Sequence, residues 1–96
     1  MTGGRVQEFC SVEIAASTSG LSAARVRHLV RVVLIQPVRI ERGRPLFGEV
    51  ELARLRRVRR LMTDLGVNLA GVEIILRLTD ELAVARSSGA ATEQAR

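Results

Sequence analysis

The sequence predicts a mainly α-helical fold in which a helix-turn-helix is followed by a small β-hairpin and two further helices. Three observations carry this. Ser11 and Ser22 each precede a helix-periodic segment as an N-cap would, with Gly20 between the two segments. Pro37 ends the helical pattern, and a tight turn at Arg42-Gly43 then separates two short runs with strand character. Gly66 and Asn68 stand between two long amphipathic stretches as the stop of one and the start of the next.

The first helix is "VEIAAST", with Glu13 placed in its first turn where a carboxylate suits the helix dipole. The second runs from about Ala23 to Val33. Its spacing puts Val26, Leu29, Val30 and Val33 on one face and Arg27, His28 and Arg31 on another. "VRIE" and "PLF" form the hairpin, with Pro45 confining the second strand to an edge. A hairpin in this position is a wing, so the expected architecture is a winged helix-turn-helix with two further helices.

The third helix spans roughly Glu49 to Leu65, opened by Glu49 and Glu51. Leu52, Leu55, Val58, Leu61, Met62 and Leu65 form its buried stripe, while Arg54, Arg56, Arg57, Arg59 and Arg60 make its outer face strongly basic. The fourth covers about Leu69 to Ala85. Leu69, Val72, Ile75, Leu76 and Leu82 face inward, and Ile74 and Leu78 widen the apolar arc beyond one stripe. That excess suits a protein contact, either a partner or a homodimer. Glu73, Asp80 and Glu81 fall on the solvated side.

The expected organisation is a leader over residues 1–10, a domain over 11–86 and a polar, disordered tail over 87–96. The leader is expected to pair a short strand through Val6 to Phe9.

Composition narrows the function. Only Phe9 and Phe47 are aromatic, so the core is aliphatic. All fifteen basic residues are arginine, and the formal charge is +5. Eleven arginines lie between Arg25 and Arg60, which raises the expectation of a phosphate-bearing or acidic partner. One cysteine, Cys10, and one histidine, His28, supply neither a disulfide nor a zinc ligand set. Neither has a companion motif for catalysis or redox sensing, and no enzyme and no cofactor are expected. The N-terminus has no apolar signal core, and the run from Val32 to Ile35 is too short to span a bilayer, so a cytoplasmic protein without a membrane partner is expected.

The stretch "GVNLAGVEI" carries two glycines, yet it follows an arginine-rich helix rather than a strand. It lacks both lysine and the G-x-G-x-x-G spacing of a nucleotide loop. It reads as a helix joint, with Gly71 permitting close helix packing.

From Leu21 to Pro37, "LSAARVRHLVRVVLIQP" resembles the start of MerR-superfamily domains, whose pattern is a serine, an Ile-Arg-Tyr-Tyr-Glu core and a Gly-Leu-x-x-Pro ending. Arg39, Gly43 and Phe47 match the wing's arginine, glycine and aromatic positions. "RRVRRLMTDLGVNLAGVEIILRLTDEL" resembles the chaperone-modulator branch and also the heat-shock repressor branch, so the resemblance covers about residues 11–86. Departures are specific: His28, Leu29 and Val30 stand for two tyrosines and an acid, Val33 for the helix-closing glycine, and Arg44-Pro45 for the wing's Tyr-Arg pair.

A fourth helix ending near Arg86 is short of sustained heptads, and DNA readers of this type need a dimer to span two half-sites. On that ground the resemblance implies, first, a non-enzymatic modulator that binds the J-domain of a DnaJ-like co-chaperone. Glu73, Ile74, Leu78, Asp80 and Glu81 would form its contact. The alternative it implies is a transcriptional regulator binding double-stranded DNA through Arg25, Arg27, His28, Arg31, Arg39 and Arg44. The basic charge favours this alternative, because a J-domain presents a basic helix of its own.

Overall fold

The computed structural model describes residues 8–94. Its elements are α1 (Val12–Ser19), α2 (Ala23–Arg31), β1 (Arg39–Glu41), β2 (Arg44–Leu46), α3 (Glu49–Thr63) and α4 (Leu69–Gln94). The order is the one expected from the sequence: a helix-turn-helix, a hairpin wing and two helices.

The caps act as their residue types require. Ser11 Oγ accepts from the Ile14 amide at 3.3 Å and Ser22 Oγ from the Arg25 amide at 3.1 Å. Asn68 Oδ1 accepts from the Gly71 amide at 2.8 Å and starts α4. Glu51 Oε1 reaches back to the Gly48 amide at 2.8 Å, which closes the start of α3. Gly66 has φ +70°, the left-handed conformation that ends a helical path cheaply only without a Cβ. The close neighbours of Gly71 are Val67 and Asn68, at 2.8 and 3.3 Å from where a Cβ would stand. The space it leaves is filled by the joint itself, not by a neighbouring helix as expected.

In the wing, Arg39 lies opposite Leu46, Ile40 opposite Pro45 and Glu41 opposite Arg44. Arg42 and Gly43 turn the hairpin, both at positive φ. Residues 1–7 lie outside the described residues, and with them most of the expected leader strand through Val6 to Phe9. The pairing observed is one position on, where Cys10 and Phe47 exchange backbone hydrogen bonds of 2.9 and 2.8 Å.

The core joins every helix. Ala15 of α1, Val26 and Leu29 of α2, Leu55 and Val58 of α3, and Val72 and Leu76 of α4 are all fully buried, with Phe47 from the end of the wing. Leu34 and Ile35 enter it from the α2–β1 connection.

Several expectations are corrected. α2 stops at Arg31, and Val33 is not on its buried face: it is 61% exposed with φ +62°. The chain leaves the helix at that residue, and Val33 takes the left-handed conformation of the missing glycine. α3 stops at Thr63, so Leu65 falls in the joint and is 71% exposed rather than buried. Leu82 is 50% exposed, because the part of α4 around it has passed the end of the domain it packs against. α4 does not give way to a polar tail near Ala85 but continues to Gln94, a helix of 26 residues. Residues 87–94 contain no proline, and their alanines and Glu93 and Gln94 favour helix.

Candidate nucleic-acid interface

The helix-turn-helix depends on Gly20. Its φ of +86° allows the chain to turn out of α1, and its amide donates to the Ala16 carbonyl at 2.9 Å. A side chain there would also collide with Arg59 of α3, whose Nε and Cδ lie 2.8 and 2.9 Å from the Cβ position. The turn is therefore crossed by an arginine from α3.

α2 leaves this turn with Val26 and Leu29 buried, which fixes its rotation. Ala24, Arg27, His28 and Arg31, spaced i, i+3, i+4 and i+7, form the opposite face, with Arg25 at its edge. Ala24, Arg27 and Arg31 are exposed, while Arg25 and His28 are half-buried. An exposed helix face bearing arginines, held by a buried face against α1, is the physical requirement for a helix that enters a DNA groove.

The candidate arginines are not equivalent. Arg27 donates to Glu13 Oε2 of α1 at 2.7 Å, and both side chains are largely exposed. Arg39 bonds Glu41 at 2.9 Å on its own strand, with its guanidinium 5.2 Å from the centre of the Phe9 ring. Arg25, Arg31 and Arg44 have no carboxylate partner among the described residues. Neither has Arg42, at the wing tip, which was not among the arginines expected to contact DNA. Its position in the turn was visible in the sequence and marked it as exposed to whatever the wing approaches.

The second set of candidates lies on α4 and is divided by the fold. Ile74 and Leu78 are 59% and 58% exposed, so neither is buried against α1 or α3. Glu73 is half-buried and Glu81 exposed. Asp80 is gripped by Arg54, whose two terminal nitrogens lie 3.0 and 2.8 Å from its carboxylate oxygens. That hydrogen bonding lowers the Asp80 pKa below the ordinary carboxylate value. Asp80 thus holds α4 in place rather than standing free beside Ile74 and Leu78. Cys10 is half-buried, and burial raises its thiol pKa. No helix among the described residues is long and apolar enough to cross a membrane.

A helix-turn-helix with a two-stranded wing and an arginine-bearing second helix defines a winged helix-turn-helix protein. The chain belongs to the MerR family: residues 6–88 match the family described as MerR HTH family regulatory protein. It is also similar to a protein of Streptomyces coelicolor named as heat shock protein HspR, with 36% identity over 73 residues, which is 75% of this chain. The chain spans 48% of that relative's length.

Proposed function

We propose that this chain is a DNA-binding transcriptional regulator in which α2 and the wing contact a duplex. The observation that carries this reading is the set of cations on the helix-turn-helix and wing that lack a carboxylate partner among the described residues: Arg25 and Arg31 of α2, with Arg42 and Arg44 at the hairpin tip. Arginines there position a protein on phosphates, and His28 on the same face of α2 approaches the bases. Membership of a regulatory helix-turn-helix family supports the reading, as does the relative named as HspR.

The length of α4 supports the dimer that the sequence argued against. At 26 residues it extends roughly 39 Å, and it carries Ile74, Leu78 and Leu82 at i, i+4 and i+8, each at least half exposed. A second copy covering that stripe would present two α2 helices to two half-sites, as the DNA reading requires.

The exposure of Ile74 and Leu78 favours one second reading, a modulator that binds a J-domain through Glu73, Ile74, Leu78 and Glu81. It is the less supported of the two, because Asp80 is occupied by Arg54. A mobility-shift assay with duplex DNA, run beside a pull-down with a J-domain, separates them. Salt-sensitive duplex binding supports the first reading, and J-domain capture without it supports the second.

A further inference from the structure

One face of α3 points away from the helix-turn-helix. Arg57, Arg60, Leu61 and Asp64, spaced i, i+3, i+4 and i+7, share it. Arg59, which crosses the Gly20 turn, stands two residues beyond Arg57 and so on the opposite side of the helix. At the end of this face the α3–α4 joint folds back on the helix. The Leu65 and Val67 amides donate to the Arg60 and Leu61 carbonyls at 3.3 and 2.9 Å, with Gly66 making the turn at φ +70°. These bonds bring Leu65 beside the face and leave a concavity of about 300 Å³ lined by Arg57, Arg60, Leu61, Asp64 and Leu65. Leu65 is 71% exposed although the backbone on either side of it is fastened, so the joint itself holds it outward. Arg60 and Asp64 have no ion-pair partner among the described residues, and Arg57 donates to the Thr79 hydroxyl at 3.4 Å.

We propose that this concavity is the docking site of a protein partner that presents an apolar side chain between carboxylates on one face of a helix. Leu61 and Leu65 supply an apolar seat, and two guanidiniums against one carboxylate leave its rim net positive. Guanidinium forks take carboxylates in bidentate fashion. A duplex backbone offers phosphates but no apolar group to cover the two leucines. The volume is at the floor of what a small-molecule cleft needs and is enough for one inserted side chain. The site shares no residue with the α4 surface of the J-domain reading, and a basic helix would meet like charge in it. Because it faces away from the Gly20 turn, its occupation leaves α2 free.

The test titrates the full chain into a fluorescein-labelled helical peptide with leucines flanked by glutamates on one face, read by anisotropy. Its lysine-for-glutamate counterpart and a scrambled version are expected to bind at least about tenfold more weakly. Leu65→Gln and Arg60→Gln alter exposed side chains, and circular dichroism checks that both fold. Each is expected to weaken binding of the acidic peptide by about tenfold. Ile74→Gln/Leu78→Gln is expected to leave it unchanged. Binding that survives in folded Leu65→Gln overturns the proposal, because it reduces the contact to attraction of any polyanion. Loss of binding in the α4 variant alone overturns it in favour of the α4 stripe. Leu65→Gln is expected to keep whatever duplex affinity the unaltered chain has, and a loss there would assign the face to DNA and overturn a protein partner. No binding of the acidic peptide by the unaltered chain overturns it outright.

Discussion

Arg54 grips Asp80 with both terminal nitrogens of its guanidinium while its Nε donates to the Leu34 carbonyl at 2.7 Å. One side chain thus ties α3, α4 and the segment that follows α2. A planar fork with five donors can do this, and lysine cannot. Arg77 adds a longer contact of 3.4 Å from α4 to the Val32 carbonyl. Through these bonds the angle of α4 is set against the helix-turn-helix.

The Asp80 pKa is lowered, chiefly by its hydrogen bond from Arg54. The stability it contributes is therefore fully present above the unfolded aspartate pKa of about 3.9 and is lost as pH falls through the lower folded value. Asp80→Asn is expected to lower stability at pH 7 by about 1 kcal/mol or less, since the carboxylate is half exposed. The gap between variant and wild type should close as the pH drops below that window. Thermal melts from pH 7 to pH 2 check this, and a gap that widens in acid contradicts it.

Val33 is a β-branched, exposed residue in the left-handed region, a conformation that costs an L-residue about 1–2 kcal/mol. Removing its side chain sacrifices little packing. Val33→Gly is expected to stabilise the protein by roughly 0.5–1 kcal/mol after the entropy cost of glycine, which raises Tm by a few degrees. A melt at or below the wild-type temperature would show that the side chain is held by more than its backbone suggests.

These residues show what the sequence could and could not disclose. The caps at Ser11, Ser22 and Asn68, the Gly20 and Gly66 breaks and the Arg42-Gly43 turn were legible because each is a local backbone requirement met by a particular residue type. Leu55 and Val58 were identifiable as core from pattern alone, whereas Phe47 was placed in the wing and is fully buried in a core expected to be aliphatic. Leu65 and Leu82 were not, because their exposure depends on where a helix ends and where its neighbour stops, and apolar spacing reports neither. The pairings of Arg27 with Glu13 and Arg54 with Asp80 join positions far apart in the chain. Only the packed fold decides which arginines are spent on such pairs and which stay available. The length of α4 was missed for a different reason: small and polar residues after Ala85 resemble a loose tail, though most of them are good helix formers.

Glu13 neutralises Arg27 across the α1–α2 pair at 2.7 Å. Exposed ion pairs of this kind contribute little to stability, so Glu13→Gln should change the melt by no more than about 1 kcal/mol. It should nonetheless tighten duplex binding and steepen the salt slope by about 0.9, as a released arginine takes a phosphate. Weaker binding in the variant would mean that the pair positions Arg27 for its contact.

Ile74 and Leu78 present about three-fifths of their surface to solvent. Replacing both with glutamine is expected to leave the core and the melting temperature nearly unchanged. If the stripe is covered by a second copy, the variant should become monomeric in analytical ultracentrifugation at concentrations where the wild type is dimeric. An unaltered association state would exclude this stripe from self-association.

The central claim is that arginines without carboxylate partners on α2 and the wing hold a phosphate backbone. Its most direct measurement compares the unaltered chain with Arg25→Gln/Arg31→Gln/Arg42→Gln/Arg44→Gln, titrated against duplex DNA over a salt series. The account predicts salt-sensitive binding by the former and a slope shallower by about 3–4 in the latter. Equal slopes in two folded proteins, or no duplex binding by the unaltered chain at low ionic strength, would contradict it.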